Sequence, residues 1–197
     1  MVVLVFSILA VASPLVAGRW PAEVVLHRWR GAWLVWGSLV LQIALFSFGF
    51  AESIAPVLHI LTYAAAIVFL WMNRALRGAV IVALGALSNG VTIALNGGVL
   101  PASAAAQEAA GLVPADGAVN SGVLDDPVLP WLGDVFAWPE PLPLANTFSV
   151  GDVLLVVGVA VVAWSGSRRI GRSAGAPEES AEADSAEAPG DTSGSPA

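Results

Sequence analysis

The chain has 197 residues, 57% of them hydrophobic and only 12% charged, against roughly 25% charged in soluble domains. A single domain of this length cannot hide that excess in one core, so the composition points to lipid as part of its solvent. There is no cysteine, which excludes disulfides, thiolate metal sites and a cysteine nucleophile. The net charge of −7 comes partly from an acidic C-terminal stretch and argues for no nucleic-acid partner.

Taken in chain order, residues 1–17 form an uncharged apolar run interrupted by Ser7, Ser13 and Pro14. A cleaved signal peptide carries its basic residues before the apolar run. Here Arg19, Arg28 and Arg30 come after it, so the run reads as a first membrane span. Trp20, Trp29, Trp33 and Trp36 beside those arginines are an interface composition. Further spans are expected over 32–51, 57–72, 78–95 and 150–166. Residues 96–149 hold seven prolines between Pro101 and Pro143, which limits regular helix there. Within them, 102–110 suits a short helix capped by Ser103. Residues 173–197 contain only small, polar, proline and acidic residues and read as a disordered cytoplasmic tail.

All eight basic residues are Arg, and with five spans every one of them falls on the same face. The positive-inside rule makes that face cytoplasmic. The sequence thus predicts an all-α polytopic protein with five transmembrane helices in a bacterial plasma membrane. Its N-terminus is outside, its C-terminus is inside, and 96–149 is extracytoplasmic. No span carries a central charge, which argues against an ion-coupled transporter.

Polar residues collect toward one end of the expected bundle. His59 lies one turn into the third span, Asn89 and Asn96 share a face of the fourth, and Asp152 opens the fifth. Together with Asp134 in the long segment, His59, Asn96 and Asp152 can form one shallow pocket. Each also has a plainer role. Ser149-Val150-Gly151-Asp152 fits a helix capping box, and Asp134 after Gly133 suits an Asx turn. Asn96-Gly97-Gly98 suits a left-handed helix stop. His59 and Asn89 suit hydrogen bonds between helices. Gly151, Gly158 and Ser165 recur every seven residues, a spacing that lets another helix approach. The sequence holds no metal-ligand spacing and no cofactor motif.

At Asn96-Gly97-Gly98-Val99-Leu100-Pro101, Leu132-Gly133-Asp134 and Phe148-Ser149-Val150-Gly151-Asp152, the chain resembles a bacterial integral membrane family of unknown function. Its pattern is N-G-G-x-M-P, L-G-D and F-S-x-G-D, with Leu100 standing where the pattern has Met. The resemblance covers about residues 1–166 and implies no activity. Phe148 to Asp152 is also similar to the F-N-x-A-D motif of lipoprotein signal peptidases, which implies Asp134 and Asp152 as a catalytic pair. Ser149 departs from that motif, and Asp134 lacks the surroundings of the first aspartate.

Three readings follow. The first is a membrane protein without assigned chemistry, its long segment folded over the helix ends as a lid or partner surface. The second is a peptidase-like hydrolase using Asp134 and Asp152. The third is a small-molecule carrier, with His59, Asn89, Asn96, Gly97 and Gly98 as binding residues. Lipid and a membrane or extracytoplasmic protein are the expected partners.

Overall fold

A computed structural model describes residues 2–48, 54–112 and 121–171. The expected end of the second span (49–51), part of the long segment (113–120) and the acidic tail (173–197) lie outside the described residues.

Five longer helices carry the fold: α1 (Val2–Val16), α3 (Ala32–Phe48), α4 (Ala55–Met72), α5 (Ala79–Leu95) and α7 (Val150–Ser165). Short elements join them. These are β1 (Arg19–Trp20), α2 (Ala22–Leu26), β2 (Leu100–Pro101), α6 (Ala104–Ala109), β3 (Ser121–Gly122), a 3-10 turn (Pro130–Leu132), β4 (Asp134–Trp138), β5 (Asn146–Ser149) and β6 (Arg168–Arg169).

The expectation of five transmembrane helices is overturned. Among the described residues no helix is both long enough and apolar enough to cross a membrane. The five helices run from 15 to 18 residues, where a crossing takes about 20. Apolar composition reports what a helix face prefers to touch, and helix length is set separately by caps and turns. The inside and outside assignments for the termini and for 96–149 presupposed five crossings and lose their basis with them. The all-α expectation is corrected too, because three two-stranded sheets are present among the described residues.

α5 and α7 pack closest, and glycine is the reason. Gly78 and Gly85 on one helix face Gly158 and Gly151 on the other, seven residues apart in each chain direction. A Cβ on Gly78 would stand 2.5 Å from the carbonyl oxygen of Gly158, and one on Gly85 2.5 Å from that of Gly151. No side chain fits there, so the backbones meet directly. α1 lies along α7 in the same direction. Its Phe6 meets Trp138 edge-on, and its Ser13 accepts a 2.8 Å bond from the indole of Trp164.

The arginine-rich end is tied by backbone pairing. β1 pairs antiparallel with β6, Arg19 opposite Arg169. Arg19 also donates to the hydroxyl and carbonyl oxygens of Ser167. At the same end Asn73, almost fully buried, donates to the carbonyl of Arg30 and accepts from its N–H.

At the opposite end the described residues of this segment, 96–112 and 121–149, form a cap that packs against α5 and α7. Ser103 caps α6 through the N–H of Ala106. β2 pairs parallel with β3, and β4 pairs antiparallel with β5. Phe136 stacks on Phe148 across that hairpin. A register shift between Asp134 and Phe136 breaks the alternation of faces. Asp134 therefore points inward while Phe136 stays exposed.

Candidate functional site

The candidate site lies where α5, α7 and the β4–β5 hairpin meet. It is built first from the start of α7. Ser149 is extended, and its hydroxyl accepts from the Asp152 N–H at 3.0 Å. Asp152 accepts in return from the Ser149 N–H at 3.0 Å. This is a complete capping box, which satisfies two otherwise orphaned donors and puts negative charge at the helix N-terminus.

Asn89 then closes the box from α5. Its amide NH2 donates to Asp152 Oδ1 at 3.0 Å, and its Oδ1 accepts from the Ser149 hydroxyl at 2.9 Å. Asn89 is 1% exposed and Ser149 is fully buried. Each polar atom thus has a partner, as a buried network requires. Gly151 makes room for it, since a Cβ there would collide with the Asn89 side chain.

Asp134 stands across the hairpin, paired in register with Ser149. Its Oδ2 accepts from Ser121 at 2.7 Å and from Thr147 at 3.4 Å. Its carbonyl accepts from the Ser103 N–H. Its Oδ1 is buried and has no partner among the described residues. Burial lifts this carboxyl to about 6; the Ser121 and Thr147 hydrogen bonds oppose the rise, and the Asp152 charge adds to it. Burial, helped by the Asp152 and Asp134 charges, pushes the Tyr63 hydroxyl up to about 12. Tyr63 packs against Gly90 of α5, which brings α4 into the same neighbourhood.

The two aspartates are therefore neighbours through charge and strand register, and no hydrogen bond joins their carboxylates. Asn96 and His59 are elsewhere. Asn96 holds the cap, accepting from the Val128 N–H at 2.8 Å and donating to its carbonyl at 2.9 Å. Gly97 and Gly98 have positive φ. The Gly98 N–H bonds the Ile93 carbonyl at 2.8 Å, a helix stop of the Schellman kind. Gly98 also lies directly on Pro56. His59 meets Gln42 at 3.5 Å and the edge of Tyr63, and burial lowers its pKa.

Reading the sequence did not single out Ser121, Thr147 or Tyr63. Ser121 and Thr147 are short hydroxyl residues in a Pro- and Gly-rich segment, with no spacing that ties them to Asp134. Tyr63 stands in an apolar helix with no motif around it that ties it to either aspartate. Among the described residues no three His, Asp or Glu side chains gather as metal ligands do.

No curated protein and no solved structure matches the chain. A family of unknown function (DUF5317) matches residues 27–164. That range takes in Asn89, Asn96, Asp134 and Asp152, together with α3, α4, α5 and nearly all of α7. The match leaves the motif pattern and the likeness to lipoprotein signal peptidases untouched. With most of its length inside that range, the chain belongs to the DUF5317 family, whose function is unknown.

Proposed function

We propose that this protein acts by binding, with the cap of residues 96–149 as its partner surface. The observation that carries this reading is the two-way hydrogen bond between Asn96 and Val128. It latches the Val128 backbone of the cap to the side chain of the residue that ends α5. On the cap Val128, Trp131, Phe136, Leu142 and Leu144 are exposed, Trp131 at 63%. Large apolar side chains left exposed in such number are what an interaction site presents. Lipid is kept as the partner of the exposed apolar side chains on α1, α3 and α4, such as Leu4, Ile8, Trp33, Trp36 and Val57. Lying against lipid needs no crossing helix.

The test is a photocrosslinking amino acid at Trp131, with a second at Glu108 as control. A discrete adduct from position 131 that is lost in Asn96→Ala supports the reading. Equal crosslinking from both positions, unaffected by Asn96→Ala, sinks it.

One observation favours a second reading, a water-activating aspartate pair. Among the described residues Asp134 keeps a buried oxygen without a partner, and its carboxyl is raised to about 6, while Asp152 has both oxygens engaged. Two carboxyls in unlike surroundings can divide acid and base roles. A double-mutant cycle of Asp134→Asn with Asp152→Asn decides it. Coupling above about 1 kcal/mol favours one shared unit, and near-additivity retires it.

A further inference from the structure

A cleft of about 400 Å³ runs between α3, α4, α5 and α7 and shares Tyr63 with the Asp134 neighbourhood. Its volume lies in the roughly 300–1,000 Å³ range of small-molecule sites. The two ends differ in chemistry. Gln42, His59, Thr62 and Tyr63 line the end nearer the cap, and Val35, Phe69, Leu70 and Val82 line the other. Among the described residues no charged side chain lines it.

Hydrogen bonding at the polar end leaves a defined set of free groups. The Thr62 hydroxyl donates its one proton to the His59 carbonyl at 2.7 Å. Thr62 must then accept from the Gln42 amide, 3.0 Å away. That fixes the amide and turns Gln42 Oε1 away as an acceptor. The same amide nitrogen faces His59 Nδ1 at 3.5 Å. His59 Nδ1 thus accepts, and its proton sits on Nε2. Among the described residues, Gln42 Oε1, His59 Nε2–H and the Tyr63 hydroxyl have no partner. One acceptor and one or two donors on residues that line a single cleft match a hydroxyl, which both donates and accepts.

We propose that this cleft binds an uncharged amphiphile with a hydroxyl head, its head held by Gln42, His59 and Tyr63 and its apolar body lying along Val35, Phe69, Leu70 and Val82. Among the described residues an ammonium or carboxylate head would meet no counter-ion lining the cleft, so its desolvation would go uncompensated. A free medium-chain alcohol and a neutral lipid with a hydroxyl head share this chemistry.

The experiment uses the full chain and a decanol carrying a diazirine at its far end, with labelled residues mapped by mass spectrometry. The expected label falls on α3 and α4 around Val35 and Phe69. Unlabelled decanol should compete about tenfold better than decanoate or decylamine, a difference of about 1.4 kcal/mol. Short-chain diacylglycerol competing as well as decanol assigns the site to a lipid head, and failing to compete assigns it to the free alcohol. Ala66→Phe narrows the cleft and should cut labelling about tenfold. Gln42→Leu, which keeps the volume, should remove the preference for decanol over decanoate. Label spread over the exposed apolar faces and unchanged in both variants overturns the proposal, as does equal competition by the three head groups. If Ala66→Phe does not fold, Gln42→Leu alone decides.

Discussion

The side chain of Asn89 occupies the space that any side chain on Gly151 would need. The two residues lie on different helices and are 62 positions apart. Their fit lets one amide reach both members of the α7 capping box. Asn89 thus ties the helix start to α5, and the box becomes a joint between two helices and the cap.

Asn89→Ala is expected to destabilise the protein by roughly 2–3 kcal/mol, because it strands the buried Ser149 hydroxyl and leaves Asp152 Oδ1 without its donor. Asn89→Asp should be worse, since it sets a second carboxylate against Asp152. Denaturant unfolding of the two variants measures both. A loss under about 0.5 kcal/mol for Asn89→Ala would mean that water replaces the amide at no cost.

Gly85→Ala and Gly151→Ala should each cost about 1–3 kcal/mol, or prevent folding, by forcing α5 and α7 apart. Gly37 of α3 has open space where its Cβ would go. Gly37→Ala should therefore stabilise by about 0.5–1 kcal/mol through helix propensity. Opposite signs in thermal unfolding mark the glycines that serve packing.

The raised carboxyl of Asp134 makes a pH prediction with a definite sign. Its pKa rises from 3.8 to about 6 on folding, so the folded state holds the proton more tightly than the unfolded chain. The stability this confers is complete below about pH 4 and is lost as pH rises through about 6. The full span is at most roughly 3 kcal/mol, at about 1.4 kcal/mol per unit. Asp134→Asn resembles the protonated form. It should flatten this part of the profile and leave the protein more stable than wild type at pH 8. Unfolding midpoints at pH 4, 6 and 8 check it, and a wild-type profile that rises over this window contradicts the assignment.

Asn96→Ala removes both bonds to Val128 and one to the Thr92 carbonyl. The site is at the surface, so global stability should fall by only about 1 kcal/mol. Hydrogen exchange should respond more locally, with protection of the Val128 amide falling about tenfold and that of Ile93 unchanged. Equal loss at both amides would show that the cap and α5 open as one unit.

Local chemistry was legible in the sequence. Ser149 and Asp152 stand three residues apart, which is enough to specify a capping box, because a cap needs only neighbours in the chain. Asn96-Gly97-Gly98 specified a helix stop for the same reason, and Ser103 its short helix. The seven-residue spacing of Gly151 and Gly158 announced a close approach, but only packing shows that Gly78 and Gly85 supply the opposite face. Asp134 shows the other limit. Its partners Ser121 and Thr147 carry no pattern, and its inward turn depends on a register shift within β4. The expected membrane crossings failed for a related reason: hydrophobic composition sets which faces avoid water, whereas caps, turns and packing decide where each helix ends. Distances between residues far apart in sequence are fixed only when the helices pack. The Asn89–Asp152 joint, the Asn96 latch and the cleft beside Gln42 and His59 therefore belong to the tertiary structure alone.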